Sequence, residues 1–208
     1  MRFHLGIQLT RTGGLLAIAA LLLLAAIAMP WYVMTSASGG TTGTMTYYLP
    51  TSTKAGGTVL TGCSSGVCAA SQLSYAGSQE NNTGNLATAV FYVLLVGLVC
   101  AVAGALLGLF TVLGPSWRRL SSILGLVALV TAIVAPLMWF AALPTMFGKD
   151  FSGHSGSGPW SSFVGSTTTA GGVKVTWAPS FGWYFSLAAF GVLLLALIWM
   201  LRKGRNNP

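Results

Sequence analysis

The chain reads as a membrane all-α bundle of four helices that carries a small β-rich extracytoplasmic module. Three observations predict this. Four long apolar runs are nearly free of charge, and runs of about 20 such residues are transmembrane candidates. Basic residues gather at one set of run ends only. Two of the segments between runs are rich in Ser, Thr and Gly, and one of them holds two of the three cysteines.

Composition excludes an ordinary soluble domain. Of 208 residues, 54% are hydrophobic and 6% charged, against roughly 25% charged in a typical globular domain. Mean hydropathy is +0.75. The formal charge of +8 raises nucleic acid as a partner, but its distribution argues against one. Arg2, Arg11, Arg118, Arg119, Arg202, Lys203 and Arg205 all lie beside apolar runs, as the positive-inside bias requires. Lys54, Lys149 and Lys174 lie elsewhere, offset there by Glu80 and Asp150. Basic residues in short separate groups form no stripe for a nucleic-acid backbone.

Residues 1–12 form a short basic cytoplasmic N-terminus, and 13–34 the first span. Ala26-Ile27-Ala28 would suit a signal-peptide cleavage site, but the apolar stretch exceeds the usual 7–15 residues of a signal core, which favours an uncleaved helix. Pro30, Trp31 and Tyr32 mark its outer end, where amphipathic rings sit at headgroup level. Residues 35–85 form the first extracytoplasmic loop. Thr-Met-Thr-Tyr-Tyr-Leu at 44–49 and Gly-Thr-Val-Leu-Thr at 57–61 favour strands, with Gly and Pro50 marking turns.

The second span covers 86–113. Gly97, Gly104 and Gly108 lie roughly on one side of it, at a spacing that lets another helix approach closely; packing within the chain's own bundle is the expected use. Residues 114–119, Gly-Pro-Ser-Trp-Arg-Arg, form a cytoplasmic turn. The third span, 120–143, contains Pro136 as a kink, tolerated where a neighbouring helix bonds the freed carbonyl, and it puts Trp139 near the outer interface. The second loop, 144–180, alternates like a strand over 172–177. The fourth span, 181–201, opens with Trp183 and Tyr184 among its aromatics, and 202–208 is a basic cytoplasmic tail. Both termini and the short turn fall on one side.

The cysteines are the first place to look for chemistry. Cys63 and Cys68 lie on the side where disulfides persist, and two strand residues facing each other across Ser64-Ser65-Gly66-Val67 meet the Cα separation a bridge requires. A structural disulfide is expected. A thiol–disulfide relay would need a closer pair and a second outer pair. A metal site would need nearby His or carboxylate ligands. Cys100 is a packing residue of the second span, and His4 and His154 read as solvated side chains. No ionisable residue falls inside a span, which disfavours a pump or charged pore. No catalytic constellation, cofactor or metal site is expected. Asn81-Asn82-Thr83 is an N-glycosylation acceptor triplet at Asn81.

In layout the chain resembles the claudin superfamily, which takes in claudins, the peripheral myelin protein group, and auxiliary subunits of calcium channels and glutamate receptors. Trp31, Gly62-Cys63 and Cys68 follow the order of that family's signature, and Phe181-Gly182-Trp183-Tyr184-Phe185 resembles the opening of its fourth span. The full Gly-Leu-Trp element is missing, since Thr61-Gly62 precedes Cys63 directly, and the cysteines are closer together than the family's. The resemblance implies one antiparallel sheet from both outer loops, with its last strand at 172–177. It implies a non-enzymatic protein whose partners are the lipid bilayer and itself or other membrane proteins. Cell-surface contact or lateral organisation is the expected function, an accessory subunit of a larger membrane complex the alternative, and a thiol oxidoreductase the remote one. Scarce acidic groups and Ser/Thr/Gly-rich loops suggest a microbial surface protein.

Overall fold

The computed structural model describes residues 11–50, 57–64, 67–75, 80–109, 115–151 and 158–205. His4, Lys54, His154 and the Ser65-Gly66 part of the expected hairpin turn lie outside them. The elements run α1 (Arg11–Ala28), β1 (Tyr32–Ser38), β2 (Thr41–Tyr47), β3 (Gly57–Ser64), β4 (Val67–Ser74), α2 (Asn81–Leu109), α3 (Pro115–Asp150), β5 (Gly165–Thr168), β6 (Lys174–Pro179) and α4 (Phe181–Arg205).

Among the described residues, three helical stretches are long and apolar enough to cross a membrane: Asn81–Gly108, Arg119–Asp150 and Phe181–Met200. They mark an integral membrane protein. The apolar part of α1, Thr12–Ala28, is shorter. The expected first span, 13–34, therefore ends too late. Its last three residues, Tyr32, Val33 and Met34, already belong to β1. Hydropathy cannot separate an apolar helix end from a strand that follows it; Pro30, which cannot donate to a helical bond, marks the change. Helix α3 runs past both ends of the expected 120–143, and α2 begins before 86.

The chain divides into two compact units. The first comprises Met1–Leu24, Val93–Val134 and Phe185–Pro208, and is helical throughout its described part. Its packing depends on small residues. A Cβ at Gly108 would stand 3.2 Å from the Gly13 Cα, and one at Gly104 would stand 3.4 Å from the Ser121 carbonyl oxygen. Gly97 abuts Thr131. The Ser121 hydroxyl donates to the Gly104 carbonyl at 2.8 Å, so α2 and α3 approach closely enough for side chain to reach backbone. Pro136 lies inside α3 and has no amide to give the carbonyl of Ala132. The buried Ser186 hydroxyl of α4 bonds that carbonyl instead, at 2.9 Å.

The second unit comprises Ala25–Tyr92 and Ala135–Tyr184 and holds one six-stranded sheet in the order β4-β3-β2-β1-β6-β5. Every neighbouring pair is antiparallel. Strands β1 and β2 meet at a two-residue turn closed by Ser38↔Thr41. Gly39 and Gly40 have φ of 51° and 84°, the two positive values that suit a tight hairpin to strand twist. The expected strand at 172–177 is β6, displaced to Lys174–Pro179, and it pairs with β1. Strand β5 was not anticipated: Gly165-Ser166-Thr167-Thr168 carries no apolar alternation.

Ser186→Ala should lower stability by about 1 kcal/mol, since a buried carbonyl then goes unbonded. Equilibrium unfolding in detergent measures this. In a Pro136→Ala background, where the helix regains its amide, the same change should cost almost nothing.

Candidate functional site

The second unit is built on an aromatic cluster. Tyr32 and Tyr47 oppose each other on β1 and β2 and are fully buried, as are Trp31, Trp139 and Phe147. The Phe147 ring lies 5.7 Å from that of Tyr32 and 5.2 Å from that of Tyr47. Phe163 packs against Tyr32, Phe140 and Trp183 at 5.5, 5.0 and 5.9 Å. The Tyr32 hydroxyl donates to the Phe163 carbonyl at 2.7 Å. Tyr32 thereby fixes the segment leading into β5.

Burial corrects the expected role of three residues. Trp31, Tyr32 and Trp139 are enclosed by this unit and do not present amphipathic rings to headgroups. The Trp31 indole donates to the Ala26 carbonyl at 2.6 Å, and its ring meets Trp139 edge-on at 5.7 Å. Trp183 is half-buried and donates to the Pro136 carbonyl at 3.1 Å. Tyr184 is exposed. A run of aromatics at a helix end has the same sequence signature in both settings, and only packing separates them.

The polar part of this unit lies at the start of α2. The chain has two carboxylates, and both are here. Glu80 is buried. Its Oε1 accepts from the Tyr47 hydroxyl at 3.2 Å and its Oε2 from the Thr58 hydroxyl at 2.6 Å. Asp150, the last residue of α3, accepts at Oδ1 from the Asn82 amide and side chain at 2.9 and 2.7 Å. Its Oδ2 accepts from the Thr83 amide and hydroxyl at 2.8 and 2.6 Å. A helix N-terminus has four amides without helical partners and a partial positive charge. Asp150 meets both needs from another helix. Glu80 ties β2 and β3 to the same point.

The sequence pattern presents these acids only as offsets to Lys54, Lys149 and Lys174. They are internal clasps. The available signal was their position: one stands immediately before a helix start, the other ends a helix, and neither has an acidic neighbour. Of the glycosylation triplet, Asn81 is exposed, while Thr83 is buried and spends its hydroxyl on Asp150.

Burial raises the Glu80 carboxyl above its ordinary 4.5; the hydrogen bonds from Thr58 and Tyr47 oppose the shift, and the charge of Asp150 adds to it. Burial also pushes Tyr32, Tyr47 and Tyr75 well above the ordinary tyrosine value, so their hydroxyls remain donors at neutral pH.

Cys63 and Cys68 stand directly opposite each other on β3 and β4 and are bridged, with Cα atoms 4.1 Å apart. Cys100 is a free, half-buried thiol on α2. Strand β4 forms one edge of the sheet and β5 the other. From Val67 to Gln72 every side chain of β4 is exposed, Val67 to 75%. Among the described residues there is no group of three or more His, Cys, Asp or Glu that could hold a metal ion.

No family model matches this chain, and no curated protein matches it in sequence.

Two outcomes follow from this geometry. A carboxyl whose folded pKa is raised binds its proton more tightly in the folded state. It therefore stabilises the fold fully below its ordinary value, and that contribution is lost as pH rises through the raised one. Thermal unfolding of the tyrosine cluster, followed by near-ultraviolet circular dichroism, should show stability falling as pH climbs from 4.5. Glu80→Gln should flatten that decline. Separately, Cys63→Ser or Cys68→Ser should remove about 2 kcal/mol from the β3–β4 hairpin, read as faster amide exchange there, with the helices still inserted.

Proposed function

We propose that this is a non-enzymatic membrane protein with a claudin-like layout, whose outer sheet makes contacts between cells or organises neighbours within one membrane. In this arrangement α1 is a fourth span. Its 18 residues reach about 27 Å at 1.5 Å per residue, close to the roughly 30 Å of a bilayer core. Four crossings place Arg2, Arg11, Arg118, Arg119, Arg202, Lys203 and Arg205 on the cytoplasmic side with both termini, and leave the sheet outside.

One observation carries the proposal. The sheet draws strands from two of the segments between helices, α1–α2 and α3–α4, is covalently pinned at one end, and offers an uncharged edge strand whose far side no other described strand pairs with. Within the helices, Ser121 and Ser186 spend their hydroxyls on carbonyls of neighbouring helices. The accessory-subunit alternative would dock through the Gly104–Gly108 face of α2 or through the aromatic-rich fourth span. The glycines lie against Gly13, Leu16, Ser121 and Leu124 of the same chain, so that role would fall to α4, where Phe181, Tyr184 and Trp199 are exposed. A thiol relay lacks its second outer pair, because the chain has three cysteines.

Purified protein reconstituted in liposomes should self-associate within one membrane or cluster vesicles. Strictly monomeric behaviour at every protein-to-lipid ratio, with no clustering, overturns the proposal. Co-purification of one stoichiometric unrelated subunit from native membranes would favour the accessory role instead.

A further inference from the structure

The two edges of the sheet are treated differently. Strand β5 is four residues long. Strand β4 is eight, Val67-Cys68-Ala69-Ala70-Ser71-Gln72-Leu73-Ser74, and pairs with β3 in unbroken register from Gly57↔Ser74 to Ser64↔Val67. Natural edge strands are usually kept from pairing by a short length, a charge, a proline or a bulge. Strand β4 has none of these.

The disulfide shows which way the β4 backbone points. In an antiparallel pair, opposed residues alternate between hydrogen-bonded positions, with Cα atoms about 5.5 Å apart, and non-hydrogen-bonded ones, about 4.5 Å apart. At 4.1 Å, Cys63↔Cys68 is of the second kind. The Cys68 amide and carbonyl therefore point away from β3, and so do those of Ala70 and Gln72. They line the edge that no other described strand pairs with.

We infer that β4 pairs antiparallel with β4 of a second copy of this chain, about a two-fold axis at Ala70. Symmetry requires a residue of one strand to face its own counterpart. Centring on Ala70 sets Ala70 opposite Ala70 and Cys68 opposite Gln72, each pair exchanging two hydrogen bonds. The sheet then runs continuously through both copies.

Charge selects a second copy as the occupant. Neither β3 nor β4 contains a charged residue, so two copies meet here without apposed like charges. Elsewhere a copy would present the exposed Lys149 and Lys174 while its two carboxylates are held in internal bonds. The small side chains of Ala69, Ala70 and Ser71 offer no anchor for a different partner, and main-chain pairing of like strands needs none. The strand spans about 27 Å at roughly 3.4 Å per residue, less surface than a stable soluble dimer buries. Confinement of both copies to one bilayer supplies the effective concentration that closes the gap.

This rests on the sheet being a contact surface, and the test separates the two claims. Full-length protein carrying Cys100→Ala is reconstituted in liposomes with Ala69→Cys, Ala70→Cys or Ser71→Cys, oxidised without added thiol, and mapped by mass spectrometry. The Cys63–Cys68 bridge serves as the check on folding. Covalent dimers should form at Ala70→Cys at least tenfold more than at Ala69→Cys. Ala70→Pro removes an amide that points to the open edge and leaves the β3 ladder intact, so it should lower the dimer fraction at least tenfold with the bridge retained. Self-association that persists in Ala70→Pro, with no linking at Ala70→Cys, overturns the β4 pairing and leaves the contact function standing. A wild-type chain that never self-associates overturns both.

Discussion

The ladder between β1 and β6 is the interaction on which the rest of the second unit depends. It runs from Tyr32↔Pro179 to Ala37↔Lys174 and joins the segment that leaves α1 to the segment that enters α4. Without it, β5 and β6 would be an isolated hairpin, marginal in water. The ladder continues into main-chain bonds beyond its Tyr32↔Pro179 end: the Ser180 amide donates to the Trp31 carbonyl at 3.0 Å and the Gly182 amide to the Pro30 carbonyl at 2.8 Å. Gly182 is needed for this approach, since a Cβ there would sit 2.5 Å from the Trp31 ring and 2.8 Å from the Met29 carbonyl oxygen. The close approach at this end thus sets the start of α4 and the start of β1 together.

The second constraint is the placement of the two acidic side chains, in a chain with no other Asp or Glu. Burying an ionised carboxylate is costly unless it is bonded. Asp150 is repaid by four donors at a helix N-terminus, and Glu80 by two hydroxyls and a shift toward its neutral form. Together they bring β2, β3, α2 and α3 to one point. The disulfide acts at the opposite end of β3 from Thr58, so that strand is held both where it meets the acids and where it turns into β4.

Much of this was legible in the residues. The apolar runs, the pairing of Cys63 with Cys68 and the strand before α4 each rest on a local pattern: hydropathy over about 20 residues, two cysteines across a short turn, and period-two alternation. What was missed lacks such a pattern. Strand β5 is Gly-Ser-Thr-Thr, with no apolar face to announce it, and its place is set by Gly165, where a Cβ would come within 2.6 Å of the Trp177 ring. Trp31, Tyr32 and Trp139 were assigned to the headgroup region because a ring at a helix end looks the same whether it meets lipid or another ring.

Sequence alone determined that this is a membrane protein with a cross-linked, Thr- and Ser-rich module between its helices, because composition and hydropathy are sums over neighbours along the chain. Tertiary structure decided where the acids go, which aromatics are buried, and which strand is left open at the edge. Those depend on residues far apart in sequence. Tyr47, Thr58 and Glu80 become a site only once three separate segments fold onto one another, and β4 is an edge because the β5–β6 hairpin joins the sheet at β1 and not beside β4.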